Sequence, residues 1–131
     1  MFNRLVANAC SDRSCVSVER RYLTLDDLLA AIHAGDVAIA MRYHGHLCSA
    51  ALGVPFLSID YTGEKGKVAG LLRTIRYRNW TEDWRTIDEV RAVSRLAELY
   101  ENRSHWSQYL LGKTAELVAG LEATYKSVFP E

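Results

Sequence analysis

Two short apolar runs, Asp36-Val-Ala-Ile-Ala-Met41 and Phe56-Leu-Ser-Ile-Asp60, constrain this chain more than any other feature. Each is shorter than an ordinary helix, with Gly35 ahead of the first and Gly53 and Pro55 ahead of the second. That is the pattern of strands buried on both faces. Between them, His44, Leu47, Cys48, Ala51 and Leu52 fall on one helical face, and Ser49, Ala50 and Ala51 are small enough for a helix to lie close on a sheet. Strand, helix, strand in this order predicts a parallel pair joined by a right-handed crossover.

The flanks agree with an α/β chain. Thr24 reads as an N-cap with Asp26 and Asp27 in the first turn, and Leu25, Leu28, Leu29 and Ile32 follow at helical spacing until Gly35. A helix over Leu25 to Ala34 is expected. After the second strand, Tyr61 to Gly66 is a polar loop, and Lys67 to Arg73 a helix with Val68, Leu71 and Leu72 turned inward. Thr86 and Glu89 read as a capping box before Ile87, Val90, Val93, Ala97 and Tyr100. A final helix is expected from Ser104 to Val128, carrying Trp106, Leu110, Leu117, Leu121, Tyr125 and Val128. Residues 1–15 show no period, whereas Val16 and Val18 alternate with polar neighbours and suggest a short strand over Cys15 to Arg20.

Length and charge narrow the function classes. A chain of 131 residues is the size of one ordinary domain. Sixteen basic and sixteen acidic side chains cancel, so no net field draws nucleic acid or an anionic membrane. No apolar run reaches the roughly 20 residues of a membrane span, and the first residues lack the apolar centre of a secretory signal. A cytoplasmic protein follows, at most associated with the inner face of a membrane. Cys10, Cys15 and Cys48 fit neither a disulfide framework nor a zinc knuckle and read as free thiols.

The chemistry gathers where the two strands end. Ligands of parallel sheets sit beyond the carboxyl ends of the strands, and there Arg42 and His44 follow the first run while Tyr61, Lys65 and Lys67 follow the second. The helix starting near Tyr43 adds unpaired N–H groups, and Gly45 would let a ligand approach that backbone. Arg42 offers a planar fork for carboxylate or phosphate, and Lys67 a point charge. A small anion with several charges is the ligand such a site takes, and His44 beside it could act as general acid. Each residue also has a plainer reading: an Arg42–Asp60 ion pair, a packed or capping His44, solvated lysines, and a loop-packing Tyr61. His44 and His46 in a helix point apart, which speaks against a metal pair. His33 would complement the helix dipole, and Tyr77, Trp80 and Trp84 suit core or lid better than stacking platforms.

The run Ala34-Gly-Asp-Val-Ala-Ile-Ala-Met-Arg-Tyr-His44, an Ala-rich helix, Leu52-Gly-Val-Pro-Phe-Leu-Ser-Ile-Asp-Tyr61 and then Lys67-Val68 resembles the C-terminal part of the polysaccharide pyruvyl transferase family. The resemblance covers Leu23 to Leu72. It implies a Rossmann-like lobe of a two-lobed fold similar to the GT-B glycosyltransferases, spanning residues 1–131 as a single domain. It further implies transfer of the enolpyruvyl group of phosphoenolpyruvate to a sugar as a ketal, with no cofactor or metal. By position, Arg42 would bind the donor's anionic groups, His44 would give the proton, and Lys67 would hold phosphate or carboxylate. The loop Tyr61 to Lys67 is longer than the family's usual link, so Lys65 would share or replace the role of Lys67. The family's N-terminal lobe has no counterpart in this sequence, so that lobe or a partner chain is an expected partner, beside a glycan or lipid-linked sugar acceptor. Two other readings are a nucleotide-sugar-binding lobe of a glycosyltransferase or related epimerase, and a non-catalytic interaction module.

Overall fold

A computed structural model of the chain describes residues 12–19 and 21–129. It is an α/β structure around a parallel sheet of order β1-β2-β3, with β1 at Ala38–Ala40, β2 at Phe56–Asp60 and β3 at Thr81–Asp83. Ala38 pairs with Phe56, and Asp60 with Asp83, so all three strands finish at one edge. The helices are α1 (Leu25–His33), α2 (Tyr43–Ala51), α3 (Lys67–Thr74), α4 (Glu89–Glu101) and α5 (Arg103–Val128). The expected parallel sheet flanked by helices is therefore present.

The core is organised around β2. Phe56 and Leu57 point to opposite faces of the strand and both are buried, so β2 is the doubly covered strand that its apolar run demands. Around it lie Val68, Leu72 and Ile75 from α3 and its end, Leu99 of α4 and Leu110 of α5. Tyr77 is buried against the Phe56 ring, and its hydroxyl accepts the Phe56 N–H at 3.2 Å. Burial holds that hydroxyl well above the ordinary tyrosine range. The first half of α5 is a strap across the helix ends: Tyr109 donates to the Ile75 carbonyl at 3.0 Å and Thr114 to the Ala50 carbonyl at 3.2 Å.

Four expectations need correction. β1 is not buried on both faces: it is an edge strand in which Ala40 is buried and Ile39 is 58% exposed. α2 is turned about its axis from the expected orientation, burying His46, Ser49 and Ala50 while His44 and Leu47 face outward. The cap of α4 is Asp88, whose carboxylate accepts the Arg91 N–H, not a Thr86–Glu89 box. Arg13–Cys15 is one 3₁₀ turn followed by irregular backbone over residues 16–19, not a strand. Of the aperiodic stretch over residues 1–15, residues 1–11 lie outside the described residues. At the other helices the sequence pattern holds, including the capping box of Thr24 and Asp27 on α1.

β3 was not visible as a strand because its middle residue is an acid. Glu82 is buried, with Arg95 of α4 at 2.5 Å and Arg91 at 3.3 Å supplying the charge that makes its burial tolerable.

α2 and α3 end in the same way. Val54 N–H reaches back to Ser49 and Gly53 N–H to Ala50, while Tyr77 N–H reaches Leu72 and Arg76 N–H reaches Arg73. Both are Schellman closures, which need a left-handed residue at the turn. Gly53 fills that place with φ +67, and Arg76 fills it with φ 53. A Cβ on Gly53 would also stand 2.7 Å from Leu111 Cγ. We expect Gly53→Ala to lower stability by roughly 1–3 kcal/mol. Arg76→Gly should instead raise it by up to about 1 kcal/mol. Urea unfolding midpoints at unchanged slope read both effects.

Candidate functional site

Parallel topology sends each crossover helix back from the edge where its strand ends, so α2 and α3 both begin at the carboxyl edge. Arg42 is the N-cap of α2, extended at φ −92 and ψ 147, with no side-chain cap and no acid in the first turn. Gly66 is the N-cap of α3, also without a side-chain cap or first-turn acid, and Lys67 is its first residue. α1 and α4 instead start under Thr24 and Asp88, each with acids in the first turn. The two helix starts beside the strand ends therefore keep their N–H groups and partial positive charge free of carboxylates.

Arg42, His44, Lys65, Lys67 and Tyr61 are all exposed, and among the described residues none of Arg42, His44, Lys65 and Lys67 is in an ion pair. In particular Arg42 is not joined to Asp60, whose carboxylate accepts the Thr62 N–H at 2.8 Å and the Thr62 hydroxyl at 2.7 Å. The His44 ring meets Tyr43 edge to face at 5.8 Å. A Cβ on Gly45 would meet the Ala40 side chain at 3.8 Å, so the bare side of this glycine faces the sheet. The long loop after β2 is drawn tight, since a Cβ on Gly66 would run into the Thr62 side chain.

His46 holds this arrangement from below. It is completely buried, with Nδ1 at 2.8 Å from the Arg42 carbonyl and Nε2 at 2.8 Å from Ser58 Oγ of β2. The carbonyl can only accept, so Nδ1 carries the proton and Nε2 accepts from the serine hydroxyl. Both nitrogens are engaged, which leaves none for a metal. Burial, the largest influence, lowers the proton affinity of the ring, against smaller opposing effects of the Arg42 hydrogen bond and Asp60. Among the described residues no three His, Cys, Asp or Glu side chains are grouped to hold a metal, and Cys15 and Cys48 are free thiols.

The concavities lie elsewhere. A cleft of about 370 Å³ opens at the amino edge, lined by His33, Asp36, Arg103 and Ser107 among others, with Arg103 paired to Asp36 at 3.3 Å. A second, of about 280 Å³, lies at the carboxyl edge beside β3 and is lined by Asp60, Glu64, Arg78 and Asp83. Asp60 and Glu64 are the acids the sequence offers to a nucleotide-sugar ribose; Asp83 was missed, because it marks a strand end only once β3 is known. Tyr77 and Trp80 are core residues as expected, but Trp84, which follows β3, is 51% exposed.

Since folding lowers the proton affinity of His46, the unfolded chain binds more protons, and the stability tied to this residue is complete above its ordinary value of 6.5 and lost as pH falls below it. We expect stability to fall as pH drops below 6.5. His46→Asn should cost about 1–3 kcal/mol and flatten that dependence in urea titrations. No helix among the described residues is long and apolar enough to cross a membrane. No curated protein and no solved structure matches the chain. The resemblance read over Leu23 to Leu72 is borne out as far as residue 63: the polysaccharide pyruvyl transferase family model matches residues 2–63, a stretch that holds Arg42, His44, Gly45 and Tyr61 and ends before Lys65 and Lys67.

Proposed function

We propose that this chain is the donor-binding lobe of a polysaccharide pyruvyl transferase, built as one domain and completed by a second lobe or a partner chain in a GT-B-like arrangement. The supporting observation is the start of α2: inside the family-matched stretch, an uncapped helix N-terminus carries Arg42 at its N-cap and an exposed His44 in its first turn. Phosphoenolpyruvate, with a phosphate and a carboxylate, is the kind of ligand this start attracts. Arg42 takes one anionic group in its fork, the first-turn N–H groups take the other, and Lys67 or Lys65 adds a cation from the neighbouring helix start. Tyr61 borders the same edge.

In the reaction, His44 delivers a proton to the methylene carbon of the enol phosphate, leaving positive charge on the adjacent carbon. One sugar hydroxyl adds there, phosphate leaves, and the second hydroxyl closes the ketal. One hydroxyl proton balances the one given to the methyl group, and the other departs with phosphate. Fixed cations around the phosphate favour its departure and require no reorganisation during the step. The acceptor is a glycan or lipid-linked sugar of a cell-surface or exopolysaccharide, and the site needs no cofactor.

A nucleotide-sugar lobe is the second reading, and one observation favours it: β3 ends on Asp83, an acid at a strand end where a ribose would be held. Titration decides between them. Phosphoenolpyruvate at millimolar concentration should shift the NMR signals of His44 and Lys67, and a uridine diphosphate sugar should not displace it. Unmoved His44 signals, or displacement by the nucleotide sugar, would sink the first reading. In the complete enzyme, His44→Ala should lower turnover by about 100-fold or more with an unchanged unfolding midpoint.

A further inference from the structure

Only the first half of α5 has a place in the core. Trp106, Leu110 and Leu117 pack there, and beyond Leu117 no residue of the helix is buried. A second row runs beside that face: Leu111, Val118 and Tyr125 recur every seven residues, and so do Thr114, Leu121 and Val128 three positions on. The five large apolar members of this row are between 47% and 71% exposed. Such spacing marks the a and d positions of a heptad. With 3.6 residues per turn a straight helix cannot keep a seven-residue row on one side, so the row faces a partner along its length only where two helices wind around each other.

The end of the helix is not self-supporting. Residues 118–128 include Gly120 and the β-branched Val118, Thr124 and Val128, a composition that leaves a short helix marginal in water without a packed face. Leu121, Glu122, Tyr125 and Lys126 frame an open hollow of about 360 Å³, a four-sided hole of the kind that receives a side chain of a facing helix. An identical helix fits this row, because its own a and d side chains are the knobs for those holes, as in a two-fold dimer. Charge does not oppose such a pair. The sixteen basic and sixteen acidic side chains of the chain cancel, and along the row Lys113 and Lys126 balance Glu116 and Glu122, all four outside the a and d positions. Area also suffices: with whole-residue areas of about 170–260 Å², the exposed fractions of the five apolar residues come to roughly 600 Å² per copy, and a pair would bury about 1,200 Å², where specific interfaces begin.

We propose that two copies of this chain pair along the row from Leu111 to Val128 of α5 as a short coiled coil. The pairing does not rest on the transferase reading. A seam of about two and a half heptads makes the dimer weak and dependent on concentration.

Sedimentation equilibrium of the 131-residue chain from about 10 μM to about 1 mM should reach twice the chain mass at the upper end. Amide exchange over residues 118–128 should slow as concentration rises. Leu121→Glu and Val118→Glu alter side chains that a single copy leaves exposed, so each should weaken pairing about tenfold or more while the urea midpoint of the dilute monomer stays unchanged. Ala123→Glu, on the opposite side of the helix, should leave pairing intact. A chain still monomeric at about 1 mM would overturn the proposal and leave the row to a second lobe or another protein. A dimer indifferent to both Leu121→Glu and Val118→Glu would overturn it as well, since such a dimer joins through a different face.

Discussion

One buried hydrogen-bonded histidine sets the geometry on which the carboxyl edge depends. His46 joins the carbonyl of Arg42, the residue that opens α2, to Ser58 in the middle of β2. Neither partner can be left unsatisfied in so buried a place without a cost of about 1–3 kcal/mol, so the start of α2 is fixed relative to the central strand. With that helix start fixed, Arg42 and His44 must stand beyond the strand ends. The edge-to-face contact of His46 with Phe56 at 5.5 Å, and the tilted contact of Phe56 with Tyr77 at 4.8 Å, carry the same fixing inward to the aromatic core. The reactive look of the Arg-x-His-x-His segment thus resolves into an outward-facing pair and an inward-facing anchor.

Local signals revealed most of the architecture. The apolar run of β2, the cap and spacing of α1, and the small residues of α2 each carry their information within a few positions. What escaped depended on distant partners. Glu82 makes β3 look like a loop until Arg91 and Arg95, a helix away, supply its counter-charge. Periodicity turned Leu47 inward, but the bond between His46 and Ser58 turns α2 the other way, a choice no hydrophobic pattern records. β1 reads as doubly buried because Ile39 is apolar, yet the strand is an edge and Ile39 meets solvent. The same split runs through the candidate site. Arg42 and His44 were legible from their place after a strand, while Asp83 needed β3 to be known first.

The distribution of charge and apolar surface is consistent with a lobe that works against something else. Among the described residues the edge holds Arg42, Lys65 and Lys67 outside any ion pair, whereas Glu64 and Asp83 beside β3 are paired with Arg78 and Arg85. Beyond Leu117 the long α5 has no buried residue, and Leu121, Tyr125 and Val128 lie in water. Together with Ile39 on the free edge of β1, this is apolar surface that the described residues do not cover.

The most direct measurement is the location of bound phosphoenolpyruvate in a crystal structure of the complex. The phosphate or carboxylate is expected within hydrogen-bond reach of the first-turn N–H groups of α2, with Arg42 in a forked contact and His44 beside the methylene carbon. A ligand bound instead at the amino edge, in the cleft of His33 and Arg103, would contradict it.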